Sequence, residues 1–218
     1  MLSPEMAAAF FAAALVLSLA PGPDNIFVLT QSALYGAGAG MATTLGLATG
    51  LCVHTTAVAL GVAVIFRSSP TAFWLLKILG ACYLLYLAWL SFRSGAALAR
   101  VPEGPGGAAA HGGARFPGYG ALYRRGILMN VTNPKVCLFF LAFLPQFCEP
   151  ERGSVPFQVV QLGALFILAT ILVFFSVAVL GGRLARRFNA SRRGQIFINR
   201  AAGLVFLGLA AALLVTGQ

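Results

Sequence analysis

The chain has 218 residues, 59% hydrophobic and only 9% charged, with a mean hydropathy of +0.88 and a formal net charge of +10. A soluble domain carries about 25% charged residues, so there is too little charge here to coat a soluble surface. The same arithmetic excludes a disordered chain, a collagen-like chain and a small disulfide-stapled secreted fold. What remains is an all-α integral membrane protein, since six spanning helices of about 20 residues use about 120 and leave short connections.

Apolar runs occupy residues 6–35, 41–66, 71–92, 124–147, 155–180 and 196–216. None alternates polar with apolar residues as a membrane β-barrel strand would. The first run is broken by Pro21-Gly22-Pro23 and the fourth by Asn133-Pro134. Gly36 and Gly40 lead into the second and Gly46 and Gly50 lie within it, at small-xxx-small spacing, which favours close helix packing and gives a surface a homodimer could use. Residues 93–123 hold eight glycines and three prolines and read as a flexible loop within a single 1–218 domain.

The fifteen basic residues mimic a nucleic-acid signal, but eleven fall in two stretches, 93–125 and 183–200. Only Arg67 and Arg152 lie in the even-numbered connections, with Lys77 just inside the third run. This asymmetry is what membrane topology demands of cytoplasmic loops, so both termini are expected outside. No nucleic acid is expected as a partner. The four cysteines (Cys52, Cys82, Cys137 and Cys148) form no CxxC pair, and at least three sit inside apolar runs.

The ionisable residues left deep in the bilayer are Asp24, His54 and Lys135. Lys77 is shallower, and its long stem is expected to snorkel to the headgroups. A charge at mid-membrane costs at least about 2.5–3.5 kcal/mol, so Asp24 and Lys135 mark either a structural salt bridge or a functional site. Each follows a proline that breaks its helix and starts a new one, leaving unpaired N–H groups at the break. Irregular backbone at that depth is tolerated only where it is buried in protein or lines a cavity. A shift of 111 residues lays Pro23-Asp24 on Pro134-Lys135 and the second run on the fifth. Each half (about 1–92 and 124–218) then reads as three helices, and three is odd. The expected architecture is two inverted three-helix repeats with proline-broken first and fourth helices, as in many secondary transporters.

The segment Pro21-Gly22-Pro23-Asp24-Asn25, the glycine ladder ending near His54, and the stretch NPKVCLFFLAFLPQF from 133 to 147 together resemble the RhtB branch of the LysE amino-acid exporter family. Lys77, Gly80, Tyr83 and Leu84, and the stretch from Gly203 to Leu209, fit the resemblance as well. It implies a six-helix permease of the bacterial inner membrane that exports amino acids or close derivatives on the proton motive force. Substrate and protons are then the partners, with lipid around them and no cofactor.

The residue types agree with that chemistry. A zwitterion needs an anion for its ammonium and a cation or helix N-terminus for its carboxylate. Asp24 suits the first role and Lys135 the second, within a shell of Pro21, Gly22, Pro23, Asn25, Asn133, Pro134 and Gln146, with Thr132 nearby. Proton coupling is expected at Asp24, with His54 either a second relay or a satisfied core histidine. A membrane thiol-redox carrier is the alternative of similar architecture, but Cys137 has no cysteine counterpart at the first break. An intramembrane hydrolase lacks a nucleophile–base pair, so no enzyme is expected.

Overall fold

The computed structural model describes residues 2–20, 22–68, 70–93, 116–180 and 192–215. Pro21, most of the glycine-rich 93–123 segment and half of the basic 183–200 stretch lie outside them. All regular structure among the described residues is helical: α1 (Pro4–Leu19), α2 (Pro23–Tyr35), α3 (Ala37–Ser68), α4 (Pro70–Arg93), α5 (Tyr119–Val131), α6 (Pro134–Leu138), α7 (Val155–Leu180) and α8 (Arg192–Val215). From α6 the chain continues through a π-helical turn, Phe139–Phe143, and a 3₁₀ turn, Leu144–Phe147.

Two segments, Ala37–Gly61 and Val155–Leu180, are each long and apolar enough to cross a bilayer. Two bent pairs qualify when taken together: α1 with α2, which meet at 60°, and α5 with Pro134–Phe147, which meet at 49°. Both bends fall at the breaks read from the sequence. Pro23 and Pro134 each occupy the first turn of the new helix, where a missing N–H costs nothing.

The broken pairs run antiparallel. At one end the Ser3 amide donates to Glu149 Oε2 over 3.3 Å, and Phe10 packs edge-on to Phe147. At the other, Tyr35 stacks near Phe116, with ring centroids 5.5 Å apart, and Phe116 meets Tyr119. The N-terminus and the 148–154 turn therefore share one side. That turn is clasped by buried Gln158, whose amide accepts from the Glu149 N–H and donates to the Glu149 carbonyl, both at 2.8 Å.

α3 lies at the centre, packed on α2, α5 and α7, while α7 also packs on α1, and α4 pairs with α8. The glycine ladder explains the closest of these contacts. A Cβ on Gly46 would strike the Tyr123 carbonyl, and one on Gly126 the Thr43 carbonyl, so α3 and α5 touch backbone to backbone. Gly50 admits Asn130 in the same way. Gly36 serves the backbone rather than the packing, and its φ of 87° turns the chain from α2 into α3.

Lys77 does not snorkel. It is 2% exposed, and its ammonium lies 4.8 Å from the ring centroid of Trp74, one turn earlier on α4. A cation–π contact at i, i+3 spacing holds the charge inside the protein.

Gly46→Val should cost about 1–3 kcal/mol, because the atom struck is backbone and cannot swing aside. Gly61→Ala, at a position with open space around it, should leave stability unchanged or slightly raised. Thermal unfolding of the two variants in detergent checks the contrast.

Candidate functional site

The two breaks meet. α1 stops at Leu19 and leaves its last carbonyls without intrahelical partners, as every helix C-terminus does. Water cannot reach them cheaply at this depth, so side chains do. Lys135 Nζ donates to the Leu17 carbonyl at 3.3 Å and to the Ala20 carbonyl at 3.1 Å. Asn25 Nδ2 takes the Ser18 carbonyl at 2.8 Å. The ammonium thus sits at the negative end of the α1 dipole, a favourable place for a cation. Gly22 makes room for it, since a Cβ there would lie 2.9 Å from Nζ.

The second break is served from the opposite half. His54 Nε2 lies 3.2 Å from the Asn130 carbonyl, in the last turn of α5, and its ring packs on Phe140. Asn133 caps α6, its Oδ1 accepting from the Lys135 N–H at 3.0 Å. Asn130 Nδ2 reaches Asp24 Oδ2 at 3.5 Å. Asn130 therefore joins the two residues singled out for proton coupling, touching His54 through its carbonyl and Asp24 through its amide.

Asp24 lies in the first turn of α2, where the helix dipole favours a carboxylate. It is buried and forms no salt bridge with Lys135, whereas Arg152 and Glu149 pair at 3.1 Å in the 148–154 turn. Asp24 and Lys135 instead line one cavity, with Leu17, Ser18 and Asn130 on the near side and α7 across from them. The cavity measures about 10 Å³, room for about one water. At that volume the site must widen to admit any larger molecule.

The polar capacity of the site is not used up. Six buried side-chain polar atoms have no hydrogen-bond partner among the described residues, and four sit at the breaks: Asp24 Oδ1, Asn25 Oδ1, Asn130 Oδ1 and Asn133 Nδ2. Each such atom costs about 1–3 kcal/mol if left unmet, so their concentration here points to a site built to bind something polar.

Of the residues expected from the sequence, Gly22, Asp24, Asn25, Asn133 and Lys135 gather at this point, with His54 one residue away through Asn130. Pro23 and Pro134 are exposed and act by starting their helices. Pro21 lies outside the described residues. Gln146 is not brought in: it sits in the 3₁₀ turn at the far end of the broken helix and does not line the cavity. Thr132 is exposed and hydrogen-bonds its own helix at Leu128. Sequence reading missed Asn130, Ser18 and Thr170. A polar residue one turn before the break was the available signal for Asn130 and for Ser18; Thr170 had none. The cysteines are free, and none lines the cavity, so nothing favours the thiol-redox alternative.

Gly22→Ala isolates the placement of the ammonium. The new methyl meets only the mobile end of Lys135, so the protein should melt within about 1 kcal/mol of the wild type. Transport should nonetheless fall by about tenfold or more, since misplacement by an ångström at a binding site is costly. Parallel melting and transport measurements check both halves.

A family model described as LysE type translocator matches residues 15–217. The chain is 31% identical over 210 residues to a homoserine/homoserine lactone efflux protein of Salmonella typhimurium, covering 96% of each chain. The protein of the same name from Salmonella typhi matches equally, and an uncharacterized membrane protein of Vibrio cholerae is 30% identical over 200 residues, 92% of each chain. No solved structure matches the chain. Broken helices, a buried ionic site between them and a match along nearly its whole length agree: this multi-pass membrane protein belongs to the LysE type translocator family.

Proposed function

We propose that this protein is a secondary transporter that exports amino acids or close derivatives across the bacterial inner membrane by proton antiport. The observation that carries the reading is the meeting of Asp24, Asn130 and Lys135 in one small cavity between two broken helices. Asp24 Oδ1 makes no close hydrogen bond, although the Asn133 and Asn130 side chains lie beside the carboxylate, and it takes the substrate ammonium. Lys135 takes the carboxylate, exchanging its α1 carbonyls for it. The homoserine and homoserine lactone named for the Salmonella relatives are zwitterion and amine of this kind.

The architecture proposed is two inverted repeats of three spans, 1–92 and 124–218, joined by the 93–123 segment. The helix packing supports it. The broken helix of each half packs on the second helix of the other, α5 on α3 and α1 on α7, while α3 meets α7 and α4 meets α8. A two-fold relation between halves exchanges the first two of those pairings and maps each of the last two onto itself. Both termini face the periplasm in this scheme, and the shared side of Ser3 and Glu149 agrees with it. A cysteine placed at Gly107 in a cysteine-free background should resist an impermeant maleimide in intact cells; ready labelling would reverse the orientation.

Coupling follows from one carboxylate serving two cations in turn. With substrate bound, Asp24 holds an ammonium; without it, Asp24 crosses the membrane barrier at least cost when carrying a proton, since a bare charge in this cavity is expensive. Proton and substrate thereby compete for Asp24 and move in opposite directions. Asp24→Asn should abolish accumulation driven by a pH gradient in proteoliposomes. Lys135→Ala should weaken equilibrium binding of the substrate instead. Undiminished coupling in Asp24→Asn would pass the carrier role to His54.

A further inference from the structure

Seven hydroxyl side chains are buried among the described residues. Four donate to the carbonyl one turn back in their own helix: Ser32 to Val28, Thr43 to Ala39, Thr44 to Gly40 and Thr55 to Leu51, at 2.7–2.9 Å. Ser3 caps α1. Ser18 and Thr170 do neither. They face each other from α1 and α7 with their oxygens 3.4 Å apart, and both line the cavity that holds Asp24 and Lys135.

Back-bonding to the i−4 carbonyl is the ordinary way for a helical serine or threonine to satisfy itself in an apolar setting. These two forgo it for a mutual contact well beyond the usual O–H···O distance of about 2.7–2.8 Å. One O–H of the pair and several lone pairs stay uncommitted. The other groups around them, Leu17, Val136, Phe166 and Phe174, are apolar. The cavity is therefore two-sided: ionic groups at the breaks, then an apolar wall bearing a single loosely joined pair of hydroxyls.

We propose that Ser18 and Thr170 form the side-chain subsite, which selects amino acids carrying a short hydroxyl-bearing side chain over their aliphatic isosteres. This rests on the amino-acid reading above, with Asp24 and Lys135 occupied by the groups common to all amino acids. A substrate hydroxyl inserts between the two side chains, donating to one and accepting from the other, and replaces one long bond with two of ordinary length. A methyl of the same size separates the pair and leaves both hydroxyls unmet. Apolar walls alone cannot make that distinction strongly, because they discriminate poorly between isosteres.

The test is counterflow in proteoliposomes with three isosteric pairs: serine and 2-aminobutyrate, threonine and valine, homoserine and norvaline. Wild type should prefer the hydroxyl member of each pair. In Ser18→Ala combined with Thr170→Val, that preference should fall by about tenfold. Replacing both partners together avoids the orphaned hydroxyl that either single truncation would leave. Thr170→Ser keeps the hydroxyl and should keep the preference. The readout is the ratio within each pair, so a loss of folding or of a carboxylate contact, which lowers both members alike, leaves it unmoved. An unchanged ratio in the double variant overturns the proposal, as does a wild type that transports amino acids without preferring hydroxyls. A wild type that transports no amino acid at all overturns the wider reading along with it.

Discussion

An α-helix that ends in the middle of a bilayer leaves carbonyl groups that nothing in the lipid can satisfy, and the structure is organised around meeting that demand. α1 ends this way at Leu19, and the groups that answer it, Lys135 and Asn25, come from the far side of two separate breaks. One ammonium thereby ties the second half of the chain to the first. It also explains how a lysine survives at this depth: its ammonium is met directly by a helix dipole and two carbonyls, with the Asp24 carboxylate nearby but out of salt-bridge contact. Asp24 is left outside that arrangement, close enough to feel it and without a cation of its own.

The contacts around the site differ in how readily they can change. α3 and α5 meet through Gly46 and Gly126 with backbone against backbone, so they behave as one body. The contacts at the breaks are hydrogen bonds from the ends of side chains, several of them long, and can be exchanged one for another. His54 and Asn130 belong to the rigid pair, and Lys135 to the short helical fragment that follows it. Motion confined to the broken helices would therefore alter the surroundings of Asp24 and Lys135 while leaving the platform beneath them intact.

The breaks were legible in the sequence because proline acts locally: Pro23 and Pro134 dictate a helix start whatever surrounds them. Asp24 and Lys135 stood out because charge is rare and costly in an apolar run. The partners of these residues were not legible. The sequence invites pairing Asp24 with Lys135, whereas the lysine in fact chooses backbone carbonyls, which every residue possesses and no sequence distinguishes. Ser18, Asn130 and Thr170 escaped for a related reason. Which face of a span meets the cavity depends on its rotation, and helices apolar all round carry little pattern to fix it. Gln146 was expected in the shell on polarity alone, yet it lies eleven residues beyond Lys135, about 16 Å along a helix. Lys77 was expected at the headgroups; a tryptophan one turn away offered it a closer partner.

The π-helical turn at Phe139–Phe143 sets the alignment of everything beyond it. In regular α geometry, residues four apart drift around the helix, but here Phe139, Phe143 and Phe147 keep successive ring centroids 4.8 Å apart. That column leans on Phe10 and Phe166 and closes the end of the molecule where Ser3 meets Glu149. A π turn holds one residue more than the α turn it replaces, so it is a length of chain kept in reserve. Drawing that residue back into α geometry would rotate the 144–147 segment by about 100° about its axis. The Phe147 ring would leave Phe10 and Phe143 without any helix unfolding, while Phe10 kept Phe139 and Phe166, and the aromatic column would part at its end like a bolt withdrawn by a quarter turn.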